Sequence, residues 1–349
     1  MSVHVVRAGL DWVQSSFSGT LHDEVLTTLE RLKTLAQSVE VPQPYPLGLF
    51  ECMVQPRGRA HWAYVLRHPE FEVLVTRDPR PGAPAASLRL TAFGLANTRP
   101  EDLWAIVTAS FGELGQLKEI AVSRADVAVD VQGLHPSPEM ASRVVCPASY
   151  RATHGTATEV QTFCFGKGDV SLRVYDKRAE MAVSGKAWVE ESWRLASGYD
   201  SARPVHRVEV QLRRKALAEL GTHAASQVFA SPGALLDFGL TWANLRVPTD
   251  DATKTRWPED PAWTALRSAV FGGVPLQRTC RVSELMSLDR AKRTLVGCAA
   301  TAGAYYGVTD YMQALQRLSF AAEVHMMDLG TDFAELVESK RRRILSEGV

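Results

Sequence analysis

Three stretches of the chain alternate between apolar and polar side chains with a period of two. They read SRADVAVDV (123–131), VSLRVYDK (170–177) and HRVEVQLRR (206–214). Successive side chains of a β-strand point to opposite faces, so each stretch predicts a strand with one apolar and one polar row. If the three strands are neighbours in one sheet, their shared polar face gathers Asp126, Asp130, Arg173, Tyr175, Lys177, Arg207 and Glu209.

The remaining periodicities predict further strands and helices. HVVRAGLDWVQSSF (4–17) has the pattern of a strand, and HDEVLTTLERLKTLAQSV (22–39) that of an amphipathic helix. Hairpins are predicted around His-Pro-Glu at 68–70 and around Gly-Lys-Gly-Asp at 166–169. From about residue 214 onward the helical pattern dominates. We therefore expect an α+β fold with mostly antiparallel sheet, flanking helices and a helical C-terminal region.

The same pattern divides the 349 residues into three regions. They are an N-terminal α+β half at 1–118, a second half at 119–217 that holds the polar face, and a mainly helical region at 218–349. The first two regions share the succession of strand, helix, hairpin and further strand. This leaves open whether they are two related halves.

The composition narrows the class of protein. Hydrophobic residues make up 46% and charged residues 22%, which is ordinary for a globular protein. There is no run of 18 apolar residues and no signal-peptide pattern at the N-terminus, so we expect no membrane partner. Five scattered cysteines without a CxxC motif argue against a disulfide framework or a thiolate zinc site. A reducing, cytoplasmic location is therefore expected.

The charge balance bears on nucleic-acid binding. Lys and Arg together number 39, and so do Asp and Glu, which argues against a protein that coats nucleic acid indiscriminately. The stretch 171–215 nevertheless carries ten Lys or Arg against six Asp or Glu. The basic character is thus concentrated around the predicted polar face.

Two interpretations of the polar face remain open from the residues alone. Carboxylates at close range suit a hard divalent cation such as Mg²⁺ or Mn²⁺, which prefers oxygen ligands. The same carboxylates are also the natural partners of neighbouring arginines in cross-strand ion pairs. A solvated strand face is the ordinary alternative to both.

Tyr175 adds a nucleophile to this face. A tyrosine hydroxyl has an unperturbed pKa of about 10 and is a poor nucleophile. Arg173 and Lys177, two residues away on either side, are expected to favour its phenolate and to stabilise charge on a phosphoryl group. A DNA strand can be cut by a tyrosine that acts together with cations, carboxylates and a metal. The energy of the cleaved bond is then kept in a phosphotyrosyl ester.

At these residues the sequence resembles the replication initiation factor family, the rolling-circle initiators of plasmids and filamentous phages with related conjugative relaxases. The resemblance covers about 119–217, and AGLDWVQSSF at 8–17 is more weakly similar to the opening strand of the family. The most specific signature is Arg-hydrophobic-Tyr-x-Lys-x-x-Glu, present as Arg173, Tyr175, Lys177 and Glu180.

The resemblance implies a function and roles for individual residues. Tyr175 would nick one strand at an origin, stay bound to the 5′-phosphate, and later rejoin the strand. Arg173 and Lys177 would contact the scissile phosphate. Asp126 and Glu209 would hold Mg²⁺ or Mn²⁺, with Asp130 as a further metal ligand.

The implied partners follow from the same resemblance. They are origin DNA, supercoiled or single-stranded at the nick, and a host helicase and polymerase. A homodimer is compatible with this function, and no organic cofactor is expected.

Alternative functions remain beside the initiator. One is a conjugative relaxase of the same family, and another is a DNA-binding relative that has lost nicking. A tyrosine recombinase ranks last because Tyr175 lies in a strand pattern. The chain has no His-hydrophobic-His pair and no P-loop motif, which excludes the two-histidine type of nickase and a built-in helicase.

Two tryptophans lie among basic residues and have two possible uses. Trp188 and Trp193 stand between Lys186 and Arg194 in sequence. Stacking on unpaired bases is one use, and helix packing is the commoner one.

Overall fold

The computed structural model describes residues 3–80, 83–155, 160–269 and 284–338. Within them, the strands are β1 (His4–Leu21), β2 (Gln43–Leu47), β3 (Phe50–Val54), β4 (Tyr64–Arg67), β5 (Phe71–Val75), β6 (Ala86–Leu90), β7 (Gly115–Gln132), β8 (Val144–Val145), β9 (Arg151–Gly155), β10 (Val160–Phe165), β11 (Val170–Asp176), β12 (His206–Arg213) and β13 (Asn244–Leu245). The helices are α1 (Asp23–Val39), α2 (Ala92–Asn97), α3 (Pro100–Ala109), α4 (Pro138–Ser142), α5 (Lys177–Ser184), α6 (Trp188–Arg194), α7 (Arg214–Glu219), α8 (Ala225–Phe229), α9 (Pro232–Trp242), α10 (Pro261–Arg267), α11 (Glu284–Tyr306) and α12 (Tyr311–Asp328).

One large antiparallel sheet organises the fold. Its strand order is β2-β3-β4-β5-β6-β1-β7-β12-β11-β10-β9, and β8 and β13 form a separate two-stranded pair. Each neighbouring pair in the large sheet is antiparallel. The predicted α+β class with a mostly antiparallel sheet and flanking helices is confirmed.

The strand order repeats itself on the two sides of the sheet. The 18-residue strands β1 and β7 pair along their whole length at the centre. On one side the chain continues from β1 through a helix and a meander whose last strand, β6, returns to pair with β1. On the other side it continues from β7 through a helix and a meander whose last strand, β12, returns to pair with β7. The two sides therefore share this succession, with five meander strands beside β1 and four beside β7, where α5 and α6 come between β11 and β12.

The apolar rows of the three predicted strands form part of the main core. Helix α9 contacts β7, β11 and β12 on this face. The six central side chains of these rows are fully buried, namely Val127, Val129, Leu172, Val174, Val208 and Val210. Burying each such side chain gains about 1.5–3 kcal/mol of transfer free energy. This gain fixes which face of the sheet points inward.

The chain divides into two compact units, Met1–Arg278 and Thr279–Val349. The first contains the large sheet and α1–α10, and the second contains the mutually packed helices α11 and α12. The predicted boundaries at residues 118 and 217 both fall within the first unit and stay predictions. No helix among the described residues is long and apolar enough to cross a membrane.

Candidate active site

Strand register brings the predicted polar residues of β7, β11 and β12 onto one face. Arg173 lies opposite Glu209, and Tyr175 lies opposite Arg207. Glu209 lies opposite Ala128 on β7, and Gln211 lies opposite Asp126 two residues further along the strands. Directly opposed residues share a face, so Asp126, Tyr175 and Glu209 lie on the same side of the sheet.

This polar face is buried rather than solvated. Asp126 is 2% exposed, Asp130 1% and Glu209 4%. Charged groups are seldom buried to this extent unless they are paired, because loss of hydration penalises the charged form. The interpretation as an ordinary solvated face is therefore wrong, and the partners of each carboxylate become the main question.

Glu209 joins Tyr175 and Arg173. The Tyr175 hydroxyl donates a hydrogen bond to Glu209 Oε2 at 2.8 Å, and the Arg173 guanidinium donates to Glu209 Oε1. The Tyr175 side chain is half-buried, and that of Arg173 is 37% exposed. The tyrosine oxygen thus has a proton acceptor inside the protein, and the neighbouring cation faces partly outward.

The electrostatics of Tyr175 differ from the sequence prediction. Burial raises the pKa of Tyr175 well above its ordinary value, and the Glu209 carboxylate raises it further. The Arg207 guanidinium acts in the opposite direction but does not prevail. The net effect is opposite to the sequence expectation, because burial and the Glu209 carboxylate disfavour the phenolate more than neighbouring cations favour it.

Asp126 is held by an arginine from its own strand. Arg124 Nε donates to Asp126 Oδ1 at 2.8 Å, and Arg124 Nη2 donates to Oδ2. Burial raises the pKa of Asp126 to about 7, the hydrogen bond from Arg124 opposes the rise, and the charge of Glu209 adds to it. Asp126 and Glu209 are thus close enough to repel each other.

Asp130 belongs to a separate ion-pair cluster. Arg207 donates to both Asp130 oxygens at 2.6 and 2.8 Å, and Trp193 Nε1 donates to Oδ2 at 2.8 Å. Arg207 also donates to Asp11 Oδ1 at 2.7 Å. Since both oxygens of Asp130 are occupied, the cluster accounts for its burial without a metal. Trp193 is fully buried here, so its use is packing and hydrogen bonding.

Lys177 begins a helix instead of continuing the strand. Asp176 is the N-cap of α5 and accepts a hydrogen bond from the Ala179 N–H at 3.0 Å. The Lys177 side chain is 1% exposed, donates to Glu180 Oε2, and lies 5.7 Å from the centre of the Tyr175 ring. Burial lowers the pKa of Lys177, and the nearby Arg207 lowers it further. The predicted strand therefore ends one residue early, and the ammonium group faces inward.

Asp126 and Glu209 are the two predicted metal ligands that lie close together, and both oxygens of each already accept hydrogen bonds. Among the described residues, no group of three or more His, Cys, Asp or Glu side chains could hold a metal ion. Mg²⁺ is commonly held by only one or two carboxylates, together with water and substrate phosphate oxygens. A cation would also relieve the repulsion that contributes to the raised pKa of Asp126.

Three residues near the site were not among the sequence predictions. Arg124 has a clear signal, because it lies in phase with Asp126 two residues earlier on β7. Asp11 and Trp12 lie where the pairing of β1 with β7 shifts register between Leu10 and Trp12. Such a bulge breaks the period of two, so alternation could not assign these two residues to a face.

Comparisons with known proteins give limited results. No protein-family model matches the chain, and no curated protein gives a significant match. Among solved structures, the chain is similar to the rolling circle replication initiator protein from Geobacillus stearothermophilus, with 16% sequence identity and a TM-score of 0.45. The similarity covers 75% of this chain and 95% of that chain. Similarity at this level carries no argument about function.

Proposed function

We propose that this protein nicks and rejoins one DNA strand through Tyr175, and thereby initiates rolling-circle replication. The observation that supports this proposal best is the hydrogen bond from the half-buried Tyr175 hydroxyl to the buried carboxylate of Glu209. A nucleophile and a base within hydrogen-bond distance are what covalent catalysis requires. The motif resemblance around Tyr175 supports DNA as the substrate.

The proposed cleavage transfers one proton and exchanges one bond. Tyr175 Oη attacks the scissile phosphorus while its proton passes to Glu209 Oε2. The new Oη–P bond forms as the P–O3′ bond breaks, and the O3′ atom leaves with the electron pair and takes a proton from water. The products are a 5′-phosphotyrosyl ester and a free 3′-hydroxyl. Attack of a 3′-hydroxyl on the ester reverses the step and rejoins the strand.

The raised pKa of Tyr175 makes the base necessary in this proposal. Because the phenol stays protonated in the resting protein, the proton must leave during the attack. Arg173 holds the other oxygen of Glu209, and its Nε is a buried donor without a partner among the described residues. This guanidinium would stabilise negative charge on the phosphoryl oxygens.

The remaining site residues have supporting roles in the proposal. Asp126 and Glu209 would hold Mg²⁺ or Mn²⁺, which would polarise a phosphoryl oxygen. The lone pairs of a carboxylate allow Glu209 to accept from Tyr175 and Arg173 and still meet a cation. Lys177, enclosed beside the Tyr175 ring, would position that ring and add positive potential rather than touch the phosphate.

The test is covalent capture of DNA. We expect the wild-type protein, incubated with a pool of random-sequence single-stranded oligonucleotides and Mg²⁺ or Mn²⁺, to form an adduct that survives denaturing electrophoresis. Tyr175→Phe keeps the ring and removes only the hydroxyl, so adduct formation should fall at least about a thousandfold while oligonucleotide binding changes less than about twofold. Glu209→Gln should also retain binding and lose most of the adduct, because an amide cannot take the proton.

Tyr150→Phe is the matched control, since Tyr150 is a partly exposed tyrosine outside the site. It should form the adduct at the wild-type rate. An adduct that persists in Tyr175→Phe would refute the assignment of the nucleophile. Binding without any adduct in the wild-type protein would favour the DNA-binding relative over the enzyme. Sequencing of the captured 5′ ends would reveal the origin and help to separate an initiator from a relaxase.

A further inference from the structure

A cavity of about 350 Å³ opens on the same sheet between the candidate active site and the N-terminal half. Its lining includes Trp12, Arg59, Arg67, Arg89, Lys186 and Trp188. Sites for small molecules typically measure about 300–1,000 Å³ and combine apolar walls with a few polar groups. The cavity therefore has the size of a site for one nucleotide.

The cavity carries excess positive charge. One buried carboxylate, Glu72, accepts hydrogen bonds from Arg59 at 2.9 Å, Arg67 at 3.1 Å and Arg89 at 2.8 Å. With Lys186 and Asp11 included, four cations face two carboxylates in the lining. Glu72 thus fixes three guanidinium groups without neutralising them. Arg59 and Arg67 remain about half exposed, with donors free for an anion.

Aromatic rings form the other part of the wall. The guanidinium carbon of Arg89 lies 3.5 Å from the centre of the Trp12 ring, and that of Arg124 lies 4.3 Å from it. Trp12 Nε1 is buried and has no hydrogen-bond partner among the described residues. Trp188 packs edge-on against Phe93, which also lines the cavity. Tryptophan and arginine planes are the surfaces on which proteins stack unpaired bases.

The two sides of the sheet carry different chemistry beside these cross-strand ion pairs. Arg89 on β6 pairs with Glu72 on β5, as Glu209 on β12 pairs with Arg173 on β11. Leu74 follows two residues after Glu72 on β5, whereas Tyr175 follows two residues after Arg173 on β11. At this part of its polar face the N-terminal side therefore has no tyrosine beside the carboxylate, and it keeps cations and aromatic rings. This set suits binding without cleavage.

The cavity borders the candidate active site. Asp11 lines the cavity and accepts a hydrogen bond from Arg207, which lies opposite Tyr175 on the neighbouring strand. Lys186 lines it as well and contacts Glu180, the partner of Lys177. A strand that reaches Tyr175 would thus have its neighbouring nucleotides close to the cavity.

We propose that this cavity binds one unpaired nucleotide of single-stranded DNA, with its base against Trp188 and its phosphate on Arg59 and Arg67. One part of this inference rests on the proposed function: that the bound strand is the one that Tyr175 attacks. Binding to this cavity would hold that strand in a defined register beside the nucleophile.

The test measures DNA binding in EDTA, where cleavage does not occur in the proposal. We expect Arg59→Ala/Arg67→Ala to bind a fluorescein-labelled single-stranded 12-mer at least about fivefold more weakly, with a salt slope reduced by about 0.7 per lost phosphate contact. Arg77→Ala is the matched control, because Arg77 is similarly exposed and paired with Glu30. It should change affinity less than about twofold.

A second measurement addresses stacking of the base. An oligonucleotide with 5-iododeoxyuridine should photo-crosslink to the peptide of Trp188, and excess unlabelled single-stranded oligonucleotide should compete for the crosslink. Crosslinks confined to other peptides, an equal loss in the double variant and in Arg77→Ala, or an equal loss for duplex and single strands would each overturn the proposal. Neither measurement requires an adduct. Each therefore tests the cavity independently of the role of Tyr175.

Discussion

At the scale of single residues, burial dominates the acid–base chemistry of the candidate site. It raises the pKa of Tyr175 and of Asp126, and it lowers that of Lys177. All three changes favour the uncharged form of the residue, as expected when water is removed from an ionisable group. For Tyr175 and Asp126 the neighbouring arginines offset this effect only in part, whereas Arg207 lowers the pKa of Lys177 further. Burial thus favours the uncharged forms of these groups in the free site. An anionic substrate and a cation would supply the charges that the site lacks.

Asp126 gives a measurable pH dependence of stability. Its pKa of about 7 in the folded protein lies above the ordinary value of 3.8. Between about pH 4 and 7 the folded state holds a proton that the unfolded state releases, so stability falls as pH rises, by about 1.4 kcal/mol for each pKa unit of difference. Above that range the loss is complete.

We therefore expect Asp126→Asn, measured in EDTA by urea denaturation, to gain stability relative to wild type between pH 5 and pH 8. Arg124, Arg173 and Glu209, the charged groups that influence Asp126, are the same in both proteins. Glu101→Gln, at an exposed carboxyl near the start of α3, should show no such relative gain. A constant difference between Asp126→Asn and wild type across this range would show that Asp126 is charged throughout.

The sequence predicts the residues of this face well and their surroundings less well. Alternation assigns Asp126, Tyr175 and Glu209 to one face because each strand must bury its valines and leucines on the other. It cannot reveal that Lys177 turns inward, since this depends on Asp176 capping α5 rather than on the strand period. It also cannot reveal the pairing of Arg207 with Asp11, which joins residues 196 positions apart in the chain.

At the scale of elements, close packing of α9 against the sheet holds β12 in place. Gly239 in α9 lies directly over Val210 of β12, and an added Cβ would come within 2.2 Å of Val210 Cγ1. Glycine in a helix costs about 1 kcal/mol relative to alanine. The close approach of helix and strand explains why glycine is nonetheless suitable here. Val210 adjoins Glu209, so this contact supports the site from behind.

Gly239→Ala is expected to destabilise the protein by about 1–3 kcal/mol, because overpacking outweighs the gain in helix propensity. Gly112 is the control, since an added Cβ there meets nothing within 4 Å and alanine should be neutral or stabilising. Urea denaturation followed by tryptophan fluorescence measures both variants. A Gly239→Ala protein as stable as the Gly112→Ala protein would show that α9 can move away from the sheet without cost.

At the scale of the whole molecule, one continuous sheet combines two sides of similar strand order with different chemistry. The side that contains β11 and β12 carries the tyrosine and the acid pair. The side that contains β5 and β6 carries arginines, Trp12 and a small apolar cluster of Trp62, Val65 and Leu74. Sequence patterns suggest the two halves but not how they join. They join through the pairing of β1 with β7, and these strands are about 110 residues apart, so local patterns cannot predict it.

The first compact unit contains every residue that the proposals use, so a chain that ends at residue 278 should keep both its fold and its chemistry. All eight tryptophans lie at or before Trp263, and their fluorescence therefore follows this unit alone. We expect the shortened chain to melt within about 3 °C of the full chain, a change of under about 2 kcal/mol for a domain of this size. It should also form the Tyr175-dependent adduct. A normal melting transition with no adduct would show that residues after 278 supply DNA contacts needed for cleavage. A transition lowered by 10 °C or more would show instead that they stabilise the sheet.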